Sequence, residues 1–387
     1  MNSSTAKRRI VFVGNSATAF VNFRKALFRV LLGKGYTIYA LAPDYTPETM
    51  EQLQAIGATP VSYPLRRTDT SPYADLCSIV ALYRLFRRLK PDIVFSFFIK
   101  PVMYGTVAAA LAGVPVRVAM IEGAGYVFTS PNPSKKVRML RGLVQRMYRF
   151  SLSFANRVFV LNPDDNDLFI STGMVKAEKA VVLPGIGIEL DMYHYSPPPE
   201  GAVSFVFVGR LLEEKGVRIL SNATRRLKKR YPQTRVTLLG APDTNPSSIS
   251  QQEIQDWVHE DLFVWPGQVQ DVQSWLGTSS VFVLPSYYRE GLPRSTMEAL
   301  ATGRPVVTTN APGCRMTVID GENGILIEPR NENALFEAMV FFVENPEQLL
   351  PMGIRSRQLA EEKFDAEKIN NFIVGDIEEL LKSRTKP

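Results

Sequence analysis

The chain has few of the residues that build redox, metal and disulfide chemistry. Of 387 residues two are cysteines, Cys77 and Cys314, and two are histidines, His194 and His259. Two cysteines exclude a disulfide scaffold and a Cys-rich zinc site, and two histidines leave too few ligands for a His-built metal centre. Long apolar runs are missing as well. The most apolar stretch, Tyr104 to Ile121, is interrupted by Gly113, Pro115 and Arg117 and falls short of a membrane span. The basic N-terminal stretch ending at Arg9 runs straight into Ile10–Val13. Four apolar residues are too few for the core of a signal peptide and read as a first strand. A cytoplasmic protein is the expectation.

What is present is an ordinary globular composition, 45% hydrophobic and 21% charged, with ample material for a core. The length suits two or three domains. The net charge of +7 is unevenly placed: residues 1–195 hold 24 Lys+Arg against 13 Asp+Glu, a net of +11, which leaves the remainder at −4. A basic half joined to a mildly acidic half suggests two domains with different partners, with nucleic acid or an anionic membrane surface suiting the basic one.

Short apolar runs alternate with helical patterns along both halves. The strand candidates are Ile10–Val13, Thr37–Ala42, Ile93–Phe97, Val116–Ile121 and Val158–Leu161, then Phe205–Val208, Arg235–Leu239, Val281–Leu284, Pro305–Thr308 and Gly324–Ile327. Helical patterns include Phe20–Leu32, Leu76–Leu89, Gly216–Lys229 and Thr296–Ala301. Alternation at this spacing predicts α/β architecture, with parallel sheets buried on both faces. The Pro run from Tyr195 to Gly201 reads as the linker. Two Rossmann-like domains follow, with ligands expected in a cleft at the carboxyl ends of the strands.

The most informative segment is Val281 to Leu300. A buried strand ends at Pro285, a loop with Gly291 follows, and a helix opens near Ser295 with Pro293 and Ser295 as its opening residues. The free N–H groups and dipole of such a helix start favour a phosphate. Glu290 and Glu298, eight positions apart, fit on either side of it, and carboxylates there accept hydrogen bonds from sugar hydroxyls. That combination implies a nucleotide-sugar. In the strand–loop–helix segment Phe205 to Gly216, Arg210 and Lys215 suit a grip on a diphosphate leaving group, against the plainer reading of a solvated charged loop.

On these residues the chain resembles the retaining GT-B glycosyltransferases of family 4 over essentially its whole length. The resembling motifs are Gly209-Arg210 with Lys215-Gly216, Pro285 to Ser295, Glu290 with Glu298, Ile99-Lys100-Pro101 with Tyr104-Gly105, and Ala311 to Arg315. They are similar to the branch that assembles bacterial surface polysaccharides and N-glycans on undecaprenyl diphosphate, N-acetylgalactosaminyl and hexosyl transferases among them. The resemblance implies a GT-B fold, two Rossmann-like domains with parallel sheets facing across a cleft. It divides the chain into an acceptor-binding, membrane-associating domain over 1–195, a nucleotide-sugar domain over 196–365, and a C-terminal segment, 366–387, whose helix packs back on the first domain. It also implies that Arg210 and Lys215 bind the donor diphosphate. Glu290, Gly291 and Leu292, with Pro293 and Ser295 beside them, would face the donor sugar. Glu298 would hold the ribose, and Pro266 and Gly267 would lie where backbone meets the base. Gly14 and Asn15 stand in the first βα loop, which has one glycine where the family often has two. Met316 replaces a carboxylate common in relatives.

No metal is then required, because Arg210, Lys215 and the helix start supply the positive charge. Asp164-Asp165-Asn166-Asp167 reads as an acidic helix N-terminus rather than a cation site. No cofactor is expected beyond the donor, a UDP-sugar. Glu122, following a strand and followed by Gly123 and Gly125, is a candidate to bind or deprotonate the acceptor hydroxyl, with Tyr126 beside it; the alternative is a carboxylate capping local backbone. Lys100 reads as a contact to an acceptor diphosphate or as a surface lysine.

Ser134 to Phe154 forms a basic amphipathic helix. At roughly 100° per residue, Val137, Leu140, Leu143, Val144, Met147, Phe150 and Phe154 fall on one side. Lys135, Lys136, Arg138, Arg141, Arg146 and Arg149 fall largely on the other. Such cations suit an anionic leaflet while the apolar stripe packs inward; Arg84, Arg87, Arg88 and Lys90 extend the surface. No nucleic-acid motif accompanies them. The expected activity is transfer of a hexosyl or N-acetylhexosaminyl group from a UDP-sugar to a polyprenyl-diphosphate-linked saccharide, at the inner face of a bacterial plasma membrane. A non-hydrolysing UDP-sugar epimerase and a catalytically silent nucleotide-sugar-binding scaffold are the alternatives.

Overall fold

A computed structural model describes residues 7–66, 71–129, 133–243, 245 and 247–385. The first unit is built on seven parallel strands: β1 Arg9–Val13, β2 Thr37–Ala42, β3 Thr59–Ser62, β4 Ile93–Phe97, β5 Val116–Ile121, β6 Arg157–Val160 and β7 Ala180–Val182. Their order across the sheet is β3-β2-β1-β4-β5-β6-β7. Successive side chains of one strand point to opposite faces. Thus Ile10, Phe12, Phe95 and Phe97 build one core, while Val11, Val13 and Val94 build the other beneath the helices Pro72–Leu89, Ile99–Leu111 and Lys135–Ser153.

The second unit has six parallel strands: β8 Ser204–Val208, β9 Arg235–Leu239, β10 Val264–Gly267, β11 Val281–Leu284, β12 Val306–Thr309 and β13 Gly324–Ile327. Their order is β10-β9-β8-β11-β12-β13. Three of the thirteen strands, β3, β7 and β10, are absent from the sequence-based expectation, and all three lie at sheet edges. Edge strands need only one partner and tolerate proline, so Pro60 and Pro266 disguise two of them and the third is three residues long.

The units divide the chain at 186/187 and at 365/366, with the final helix in the first unit. That helix, Ala366–Thr385, buries Ile369, Ile373, Val374 and Ile377 in the first core, and Arg157 and Asp376 pair at 2.8 Å. The boundary precedes the Pro run rather than falling within it. Residues 187–195 are tied into the second unit: Ile188 N–H donates to the Phe364 carbonyl at 2.7 Å, and Arg357 donates to the Tyr193 carbonyl at 2.7 Å. Ser196, the second residue of the expected linker, is held by the fully buried Arg304, whose guanidinium reaches its hydroxyl at 2.9 Å.

The expected helix Phe20–Leu32 is two helices, Ala17–Phe23 and Lys25–Gly33. Arg24 at the junction leaves helical geometry and turns inward, 3% exposed, with its guanidinium 4.5 Å from the Phe97 ring.

Candidate active site

In the second sheet the connections reverse direction between β8 and β11, the switch point at which open parallel sheets bind ligands. The two loops there carry Arg210–Lys215 and Pro285–Pro293. They are locked together: Glu214 offers its carbonyl to the N–H groups of Tyr287 at 2.9 Å and Tyr288 at 3.1 Å. Gly216, at φ 78°, leaves no room for a Cβ against the Pro285 carbonyl. Gly313, also at φ 78°, closes from the other side, where a Cβ would stand 2.6 Å from the Glu290 carbonyl oxygen. Only glycine combines that dihedral with so close an approach.

Inside this clasp Lys215 Nζ forms an ion pair with Glu290 Oε1, both side chains mostly buried, and the Ser286 hydroxyl donates to the same oxygen at 3.1 Å. Gly291, Leu292 and Pro293 are buried behind Glu290, and Ser295 is half-buried in the first turn of the helix Arg294–Thr302. No side chain caps that helix, and a helix start is a setting that favours an anion. Glu298, 8% exposed, accepts from Arg294 Nε at 2.9 Å, and the pKa of the Tyr193 phenol is driven upward by burial and then by the Glu298 charge. Arg210 stands over half exposed, 3.2 Å from Asp243. The Cys314 thiol is completely buried beside these groups, and burial pushes its pKa up to about 12. Pro266 and Gly267 lie on the edge strand β10. There the Gly267 carbonyl accepts from Gly240 N–H at 2.9 Å and Trp265 Nε1 donates to the Gly240 carbonyl at 2.9 Å. The switch-point loops thus bring Lys215, Glu290 and the helix start together, with Glu298 one turn into that helix, while Arg210 points to solvent.

The first sheet reverses between β1 and β4. Gly14 follows β1, and a Cβ there would stand 2.8 Å from the Phe97 ring. Packing therefore demands the glycine. Asn15 is half-buried beside it. The following helix start is already served by a carboxylate of the chain itself, since Ala17 N–H donates to Asp44 Oδ1 at 2.6 Å. After β4, Phe98 adopts φ 69° and ψ 160°, a conformation costing a non-glycine residue about 1–3 kcal/mol and found chiefly at functional sites. Lys100 follows, but its ammonium is engaged by Asp75 at 3.0 Å and the Arg66 carbonyl at 2.8 Å.

Glu122 directly follows β5 and pairs with Arg24. The carboxylate caps no backbone; it answers the buried guanidinium. Asp165 is the residue that ties down the adjoining loop, accepting from Ala124 N–H at 3.1 Å and from the Asn162 amide at 3.2 Å. It is fully buried in the opening turn of the helix Pro163–Ser171. Among the described residues no His/Cys/Asp/Glu group could hold a metal ion. Tyr126 opens the short turn Tyr126–Phe128; its side chain lies outside the described residues.

The helix Lys135–Ser153 corrects the expected division of faces. Tyr148, Ser151 and Leu152 are its buried residues, while Met139, Leu140, Leu143 and Phe150 are exposed among exposed Lys135, Lys136, Arg138 and Arg146. Two of the cations serve the fold. Arg141 donates to the Val127 carbonyl at 2.7 Å, and Arg149 donates to the Thr172 and Gly173 carbonyls at 2.7 and 3.0 Å, satisfying a helix C-terminus. No described helix is long and apolar enough to cross a membrane.

Sequence reasoning missed Arg24 and Tyr193. Arg24 had a legible signal: it falls in register with buried Phe20, Leu27, Phe28 and Leu31, a cation within an apolar stripe. Tyr193 had none, because its partner lies more than a hundred residues away.

Comparison with known proteins bears on family and fold. Residues 202–345 match the family described as glycosyl transferases group 1, and residues 25–185 match the glycosyl transferase 4-like domain. The chain is 23% identical over 363 residues to a Campylobacter jejuni N,N'-diacetylbacillosaminyl-diphospho-undecaprenol alpha-1,3-N-acetylgalactosaminyltransferase, covering 90% of this chain and 93% of that one. It is 27% identical to an Escherichia coli UDP-Gal:alpha-D-GlcNAc-diphosphoundecaprenol alpha-1,3-galactosyltransferase, over 69% and 70% of the two chains. The fold is shared with a sucrose-phosphate synthase from Thermosynechococcus elongatus (TM-score 0.79, 17% identity, 97% and 100% of the chains). It is shared too with Anabaena HepE crystallised with UDP (TM-score 0.76, 18% identity, 96% and 100%).

Proposed function

The chain belongs to the glycosyltransferases, with a 4-like domain followed by a group 1 domain in a GT-B fold, and from that premise we propose that it moves a hexosyl or N-acetylhexosaminyl group from a UDP-sugar to a polyprenyl-diphosphate-linked saccharide, retaining the anomeric configuration. The observation that carries the reading is the Lys215–Glu290 pair at the switch point of the second sheet, with the uncapped helix Arg294–Thr302 in the same loop. The activities named for the Campylobacter and Escherichia relatives support the acceptor class.

In this reading the diphosphate takes the helix start, with Lys215 and Arg210 countering its charge, which stabilises the departing UDP as the bond breaks. Glu290 and the Gly291–Leu292 backbone meet the sugar, and Glu298 accepts from the ribose hydroxyls. The acceptor oxygen forms a bond to the anomeric carbon on the face from which the phosphate oxygen leaves, and the acceptor's proton passes to that phosphate. No protein nucleophile is needed. Glu122, paired with Arg24, serves as hydrogen-bond acceptor for the incoming hydroxyl. Membrane association at the inner face of the plasma membrane uses the exposed residues of the helix Lys135–Ser153, where Met139, Leu143 and Phe150 stand among cations.

The test is incubation with a panel of UDP-sugars and an undecaprenyl-diphosphate-linked saccharide, following UDP release and product. Glycosylated lipid with an α linkage from an α-linked donor supports the proposal. Epimerised UDP-sugar formed from donor alone, or UDP binding without turnover of any pair, refutes it.

A further inference from the structure

We infer that Ser286 is a positioning residue whose hydroxyl holds the Glu290 carboxylate in the orientation in which it meets the donor sugar. The inference rests on the reading that the second unit takes a UDP-sugar, and it names a residue to which that reading gives no part.

Ser286 stands two residues beyond β11 and is fully buried. Its carbonyl accepts from the hydroxyl of Thr309, the last residue of the neighbouring strand β12, so its backbone is pinned to the sheet. Its own hydroxyl accepts from Tyr288 N–H at 3.2 Å. The same oxygen lies 3.1 Å from Glu290 Oε1 and 3.3 Å from the Glu214 carbonyl. A hydroxyl has one proton to give, and the nearer, charged oxygen is the stronger acceptor. The proton goes to Glu290.

Lys215 is the other donor to Oε1, but the two donors differ in kind. The ammonium carries several protons on a long flexible stem and also serves the diphosphate, so its position follows the ligand. The serine oxygen is short-tethered to a backbone held by the sheet, and its position does not. Fixing a glutamate side chain costs rotamer entropy, and a site that has already ordered it spares the incoming sugar that cost. The loop itself does not depend on this hydroxyl. Glu214 still accepts from the N–H groups of Tyr287 at 2.9 Å and Tyr288 at 3.1 Å, and the Thr309 bond goes to a backbone carbonyl. Removing the hydroxyl alone therefore leaves the clasp closed and loosens Glu290.

The experiment is calorimetric titration of wild type, Ser286→Ala, Glu290→Ala and the double variant, without acceptor. The ligands are UDP and, in parallel, UDP-glucose, UDP-galactose and their N-acetylhexosamine counterparts. The measured quantity is the ratio of UDP-sugar affinity to UDP affinity. In Ser286→Ala that ratio falls roughly 3- to 10-fold, the worth of one hydrogen bond, while UDP affinity and Tm stay near wild type. The double variant shows no lower ratio than Glu290→Ala. Ser286→Cys, a weaker donor, falls between wild type and Ser286→Ala and supplies the comparison if the alanine variant does not fold. An unchanged ratio overturns the inference and leaves the nucleotide reading standing. So does an equal loss of UDP and UDP-sugar with a lowered Tm, which marks a purely structural role. A double variant weaker than Glu290→Ala by the full Ser286→Ala factor does the same, because the hydroxyl then acts without Glu290. Wild type that fails to bind UDP, or that binds no UDP-sugar, overturns the donor reading and the inference together.

Discussion

Lys215 and Glu290, 75 positions apart in the chain, meet in an ion pair with each side chain close to nine-tenths buried. Burying two charges is costly unless each satisfies the other, and here each answers the other at the switch point where we propose that the donor binds. Lys215→Met removes the ammonium and strands Glu290. Transferase activity falls by about 10²- to 10³-fold in kcat/KM, the scale of losing one charge-stabilising donor, and Lys215→Arg recovers part of it. Initial rates with a saturating acceptor provide the check.

Arg24 and Glu122 form the corresponding pair in the first unit. Removing one partner of a buried pair costs about 3–5 kcal/mol, whereas replacing both with apolar groups is often neutral. Urea unfolding should therefore find Arg24→Met strongly destabilised and the double variant Arg24→Met, Glu122→Leu largely restored. Glu122→Gln, which keeps the shape, loses about 10- to 100-fold in turnover, the worth of a hydrogen bond to a charged acceptor.

Cys314 makes stability fall in alkali. Its pKa rises from an ordinary 9 to about 12 in the folded chain. Below pH 9 both states hold the proton. As pH climbs from 9 towards 12 the unfolded thiol ionises while the folded one stays neutral, so folding weakens by up to roughly 1.4 kcal/mol per pH unit. Comparing unfolding free energies of wild type and Cys314→Ala between pH 8 and 11 isolates the effect, with the wild type losing stability faster.

Two glycines respond oppositely to alanine. Gly313→Ala drives a methyl into the Glu290 carbonyl at a left-handed φ, and both Tm and activity drop. Gly142, in mid-helix with nothing within 4 Å of its added Cβ, gains up to about 1 kcal/mol from the better helix former. Paired thermal melts decide the matter.

Exposed Leu143 and Phe150 predict a membrane contact with an apolar part. Replacing both with glutamate should abolish sedimentation with vesicles rich in anionic lipid while leaving UDP affinity as in the wild type. Replacing exposed Lys136 and Arg146 with glutamine weakens binding by about 1 kcal/mol per cation and mainly lowers its salt sensitivity.

The architecture was legible because its signals are local. Apolar runs such as Ile93–Phe97 and Val281–Leu284 carry the strand pattern within themselves, and the residues from Pro285 to Glu298 combine a strand end, a tight loop and a helix start in one stretch. Three of the four edge strands escaped because their burial is partial and two of them contain proline. The faces of the helix Lys135–Ser153 could be drawn as a wheel, yet the wheel does not say which side meets the sheet. Tyr148 and Leu152 took that side, and Met139 and Phe150 were left outside.

Read alone, the amino-acid order determined the two α/β halves and the boundaries of most strands, since each depends on neighbours within a turn or a strand. Only the tertiary structure decided that Arg24 answers Glu122, that Asp75 engages Lys100, and that the chain divides at 186/187. Those outcomes are pairings between distant segments. Sheet order and register bring them together, and a buried charge takes whichever partner the packing places within reach.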